Sequence, residues 1–127
     1  MPKLEYFIVA ESVSIDQTTN CISIFHVLEQ INIREFPTPL RQLTAIAHWN
    51  AEKVDIDRDF QVTIVVTPPG DEPKEFHQNF RIIRPRHRTI ANLVGLPLTQ
   101  PGTLTIEIRL NGEHKAYHTI DILKIES

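Results

Sequence analysis

A chain of 127 residues is the size of one domain, here taken as 1–127, and it is long enough to bury a core without a metal or disulfide staple. Its 41% hydrophobic and 23% charged residues are those of an ordinary soluble globular protein. The net charge of −3 argues against nucleic acid and acidic membranes as general partners, so any basic patch must be local.

The first element is "LEYFIVAE", a strand apolar on both faces from Tyr6 to Ala10. The run is short and bracketed by Glu5 and Glu11, unlike a signal peptide, and no segment approaches the roughly 18 apolar residues of a membrane helix. The lone Cys21 has no partner for an internal disulfide and suits a reducing compartment, so the expectation is a cytoplasmic protein. After the "DQTTN" turn at 16–20, "CISIFHVLEQINI" sets Ile22, Ile24 and Leu28 on one side and Phe25, Val27, Ile31 and Ile33 on the other. Strands apolar on both faces have two readings. They are a pair of central strands, bulged and buried partly on both sides, or one face is a subunit interface, since a sheet face left in water should be polar.

"FPTP" at 36–39 marks a turn. "DIDRD" at 55–59 spaces Asp55, Asp57 and Asp59 as calcium loops do, but Phe60 and Val66 stand where an EF-hand needs glycine and glutamate, so a solvated loop is expected. In "FQVTIVVT", Val62, Ile64 and Val66 share one face. Beyond "PPGDEP" at 68–73, "KEFHQNFRII" directs Phe76, Phe80 and Ile82 to the core.

Four of the eight arginines follow almost at once: Arg81, Arg84, Arg86 and Arg88, with His87 among them. Pro85 cannot donate to a ladder, so Arg81 ends a strand and the others occupy a loop. Guanidinium forks match carboxylate and phosphate geometry, and several converging would hold an anion. That anion would be small or a nucleic acid. The alternatives are a solvated loop, ion-paired with residues such as Asp71, Glu72 or Glu75 or with a neighbouring subunit, or a contact surface for protein.

"QPG" at 100–102 fits a type II turn with Pro101 and Gly102 at its centre. In "TLTIEIRLNG", Leu104, Ile106, Ile108 and Leu110 alternate with polar residues, as in a half-buried strand. The final hairpin has two registers. A two-residue Asn111-Gly112 loop would leave His118, Ile120 and Ile122 outside, whereas a three-residue loop with a bulge sends them inward. Burial of two isoleucines favours the second, with His118 a satisfied core histidine.

No window carries a helical period, so the fold expected is all-β, an antiparallel sandwich of seven to nine strands or a barrel-like closure of one. The glycines at 70, 95, 102 and 112 lack the spacing of a phosphate loop or dinucleotide fingerprint, and no serine sits in a nucleophile elbow. One cysteine excludes cysteine-rich zinc sites. His114 and His118 on one strand would lie about 13 Å apart, too far for one metal. A site of three histidines from distant strands stays open.

"AESVSIDQTTNCISIFHVLEQINI", running on to "FPTP", and "LVGLPLTQPGTLTIEIRLNGE" resemble the opening and closing hairpins of a family of short bacterial β-sandwich proteins classed as a domain of unknown function. The resemblance implies a sandwich and a bacterial source, and no catalytic residue. The function expected is a non-catalytic interaction module, without cofactor or metal, that self-associates, as a homodimer for instance, or binds a protein partner. The alternative is a module binding an anion or sugar-like group through Arg81, Arg84, Arg86, His87 and Arg88.

Overall fold

The computed structural model describes residues 1–126 and has nine strands among them. They are β1 (Lys3–Ile15), β2 (Ile22–Val27), β3 (Gln30–Ile33), β4 (Thr38–Asn50), β5 (Asp59–Thr67), β6 (Lys74–Arg81), β7 (Arg86–Leu98), β8 (Gly102–Leu110) and β9 (Glu113–Lys124). One sheet has the order β2-β1-β4-β7 and the other β3-β9-β8-β5-β6, and the two pack face to face as a sandwich. The all-β expectation is met, with one refinement: β3 runs parallel to β9.

Period-two patterning supplies the core from both sheets. Leu43, Ala45, Ala47 and Trp49 of β4 meet Val62, Ile64 and Val66 of β5 and Leu104, Ile106, Ile108 and Leu110 of β8. Trp49 is fully buried and donates from Nε1 to Thr89 Oγ1 at 3.0 Å, so its one polar atom is satisfied. Phe76 departs from its expected place and is 43% exposed. It lies on the edge strand β6, where the opposite sheet ends at β7 and leaves an open groove between Phe76 and Leu93 to Pro97.

The segment from Cys21 to Ile33 does not form one strand. β2 edges the first sheet and β3 the second, with Leu28 and Glu29 crossing between them. His26 has φ +56°, and this break in extended backbone explains why one alternation did not fit the whole segment. Leu28 N–H donates to Val9 O and Asp121 N–H to Glu29 O, each at 2.9 Å, so the crossing is tied to both sheets. His118 adds to the tie. A backbone N–H can only donate and a carbonyl only accept, so His118 Nδ1 accepts from Val9 N (3.4 Å) and Nε2 donates to Leu28 O (2.6 Å). It is the satisfied histidine expected, in its Nε2–H tautomer.

The last hairpin combines parts of both expected registers. Asn111 and Gly112 have φ of +49° and +82°, a two-residue loop with Leu110 opposite Glu113. A bulge at Lys115 then shifts the pairing, so that Ile108 faces Ala116 and Leu104 faces Ile120. Ile120 and Ile122 are fully buried as expected, but the bulge lies in the strand and the loop is not three residues long. The type II turn at Pro101-Gly102 also gives way. Gly102 has φ +143° and opens β8, and a Cβ there would stand 2.8 Å from Pro69 Cβ.

β1 parts from β4 after Ala10, whereas its pairing with β2 continues to Ile15 and Ile22. The tip of this hairpin comes back over the outer face of the first sheet, where Arg88 Nη2 donates to Asn20 O at 3.2 Å. Ile46 and Ala10, which point away from the core, are nevertheless fully buried. Much of the second apolar face of β1 is therefore covered within the chain, as in the first of the two readings, whereas β2 and β3 are edge strands and not the central strand that reading expected.

Candidate functional site

After Arg81 the chain crosses from the second sheet to the first through residues 82–85. Ile82 anchors the crossing in the core, donating to Arg58 O (3.1 Å) and accepting from Asp57 N (2.7 Å). Pro85 O accepts from Ala51 N at 2.6 Å, which fixes the far end beside β4. The strand resumes at Arg86, so Arg86, His87 and Arg88 stand at the start of β7 and not in a loop as expected. Loop chemistry is confined to the four residues around Pro85, because beyond them a 12-residue register with β4 captures the chain.

Alternation then sorts the side chains. Arg86 and Arg88 lie two positions apart, about 6.6 Å along the strand, on the outer face, where Arg88 pairs with His48. His87 pairs with Trp49 and turns the other way, its ring stacked on Phe80 with centroids 4.2 Å apart and planes at 6°. Asn20, His48, Ile83, Arg84, Arg86, His87 and Arg88 together line a cavity of about 410 Å³. Arg81 is not among them. It lies on β6 opposite Asp59, which it holds bidentately from Nε (3.0 Å) and Nη2 (3.1 Å), so this arginine is structural.

Among the described residues none of Arg84, Arg86 and Arg88 is ion-paired with a carboxylate, and no acidic residue lines the cavity. The ion-paired reading of the cluster thus holds for Arg81 alone, and its partner is Asp59 and not Asp71, Glu72 or Glu75. Arg88 Nε is buried without a hydrogen-bond partner, the one such side-chain atom among the described residues. A buried unmet donor costs on the order of 1–3 kcal/mol, and a ligand oxygen in the cavity is one partner that would meet it.

His48 is the residue that sequence reasoning missed. Its ring stacks on Tyr6 at 5.3 Å, and burial, followed by the charges of Arg86 and Arg88, holds its pKa below the ordinary 6.5 against a smaller opposite pull from Glu5. Burial lowers the pKa of His87 as well. The site is therefore three permanent cations beside the His48 imidazole, kept neutral, while the His87 ring, neutral as well, is turned to the other face against Phe80. Nothing in one dimension brings Asn20 or His48 to Arg88, because the first arrives by hairpin curvature and the second by strand register.

The other chemical clusters are internally satisfied. Glu107, nearly buried on the outer face of the second sheet, accepts from Arg109 Nη2 (3.0 Å) and pairs with His114 Nδ1 (2.7 Å). Burial opposes its charge, but these hydrogen bonds and charges outweigh burial and lower its pKa. Of the three aspartates at 55–59, Asp55 accepts from Glu52 N and pairs with the Met1 amino group, and Asp59 holds Arg81. Among the described residues no three His, Cys, Asp or Glu side chains are grouped to hold a metal ion, and no helix is long and apolar enough to cross a membrane.

The sequence model of DUF6941, a family of unknown function, matches residues 5–123. The chain belongs to this family. No curated protein matches the sequence. Among solved structures, the Pseudomonas fluorescens alkylpurine DNA glycosylase AlkC, bound to DNA containing an abasic site analog, is similar with a TM-score of 0.59 and 11% identity. The likeness covers 96% of this chain but 30% of that one, and at this identity it concerns the fold alone.

Proposed function

We propose that this DUF6941 domain is a non-catalytic interaction module that holds an anionic group in the cavity of Arg84, Arg86 and Arg88. The observation that carries the reading is the convergence of three arginines, none ion-paired with a carboxylate, on one concave site. Guanidinium groups bind oxyanions through paired N–H donors, and a site without its own carboxylates keeps those donors for a ligand. The cavity lining has no carboxylate, serine or cysteine to serve as a nucleophile, and its only candidate bases are the imidazoles of His48 and His87, which favours binding over covalent chemistry. The lone, exposed Cys21 fits the cytoplasm as the site of action.

Thermal unfolding at matched ionic strength tests the reading. Phosphate at about 100 times its dissociation constant should stabilise the fold by roughly 2.7 kcal/mol, and the gain should fall to about 0.4 kcal/mol or less in Arg84→Ala/Arg86→Ala at the same concentration. Equal gains in both proteins, or none in either, would count against the site.

A second reading, self-association or contact with a protein partner, is favoured by Phe25 and Val27, each 47% exposed on the edge strand β2. It predicts a sedimentation mass that rises with concentration, persists in salt and falls in Phe25→Ser/Val27→Ser. A monomer at every concentration would rule out the homo-oligomer.

A further inference from the structure

We infer that the group held by the arginine cavity is a phosphomonoester carrying a small organic body, an inference that rests on the anion-binding reading above. The charges set the head group. Three arginines line a cavity without a carboxylate in its lining, and the His48 imidazole beside them stays neutral. A carboxylate or a sulfate ester brings one negative charge and leaves two arginines uncompensated. A phosphomonoester near neutral pH brings close to two charges on three acceptor oxygens, which suits forks converging from different backbone positions.

Arg84 approaches from the crossing loop and Arg86 from β7, whereas Arg88 already has Nη2 on Asn20 O. The first two are exposed and are the ones free to close on a ligand.

The shape sets the body. A volume of about 410 Å³ falls in the range of small-molecule sites, roughly 300–1,000 Å³, and exceeds what a bare tetrahedral ion fills. Ile83 lines the same cavity at 65% exposure. An exposed isoleucine next to three arginines gives a ligand's organic part an apolar wall while the phosphoryl group meets the guanidinium groups. Inorganic phosphate satisfies the cations and leaves that wall in water.

Calorimetric titration of the full chain at fixed pH and ionic strength tests this with glucose phosphate, glucose sulfate, adenosine monophosphate and inorganic phosphate. Glucose phosphate should bind about tenfold or more tightly than glucose sulfate, the weight of one further charge-assisted contact. Both organic phosphates should exceed inorganic phosphate, and the tighter of the two indicates whether the body is sugar-like or carries a base. Arg84→Ala and Arg86→Ala should each weaken binding about tenfold. Both residues are exposed and neither has a side-chain hydrogen bond among the described residues, so the fold should tolerate their loss. Ile83→Ser should reduce the advantage of the organic phosphates over inorganic phosphate and spare the latter.

Equal affinity for glucose phosphate and glucose sulfate would overturn the phosphomonoester while leaving an anion site. Inorganic phosphate binding as tightly as both organic phosphates would overturn the organic body. No binding of any of the four would overturn this inference and the anion-binding reading together.

Discussion

His48 and Arg88 stand side by side on β4 and β7, and their charges cannot be treated separately. Tyr6 stacks on the His48 ring, Arg86 and Arg88 face it from β7, and Glu5 pulls weakly the other way. Burial and the two arginines depress its folded pKa below 6.5. Above 6.5 both folded and unfolded chains hold the ring neutral, so nothing is lost. As pH falls through 6.5 towards the folded value, the unfolded chain takes up the proton first, and stability declines. Phosphate bound beside Arg86 and Arg88 would reverse the local field. The His48 titration midpoint, followed by NMR, should therefore move up on adding saturating phosphate and stay in place in Arg84→Ala/Arg86→Ala. A midpoint indifferent to phosphate would separate His48 from the site. At this scale the arginines were legible because they are contiguous, whereas His48 is joined to them only by strand pairing.

Among the elements, the strands and most turns were written in period-two patterning and in Gly, Pro and Asn positions. The errors fell where a strand bends. Residues 21–33 break their alternation at the positive-φ His26 and change sheets at 28–29, and β9 absorbs an extra residue at Lys115, and neither event has a composition signal. The β8–β9 loop carries a cost that can be measured. Asn111 holds φ +49°, donates its backbone N–H to Gln61 O (2.8 Å) and accepts Gln61 N–H on its side chain (2.9 Å). Asn111→Ala should cost about 1–3 kcal/mol in urea unfolding, from a lost hydrogen bond and from alanine forced into the left-handed region. Asn111→Gly should cost less, because glycine keeps the conformation and loses only the side-chain acceptor. Equal costs would mean that backbone strain plays no part.

For the whole molecule, the sandwich decides which side chains can meet. Its crossings at 28–29 and 82–85 both change sheets, and the second sets Arg84 beside the start of β7. The β1–β2 hairpin curves over the same sheet and supplies Asn20 as a wall. The fold class and the basic half of the candidate site were therefore legible in the sequence, whereas the half that tertiary curvature assembles was not. The most direct test of that assembly is a two-dimensional amide NMR titration of the whole chain with inorganic phosphate at constant ionic strength. Saturable shifts are expected at Asn20, His48, Ile83, Arg84, Arg86 and Arg88, three separated segments moving with one dissociation constant. Shifts confined to the β6–β7 groove or to the Glu107 face, or no saturable shift at all, would contradict it.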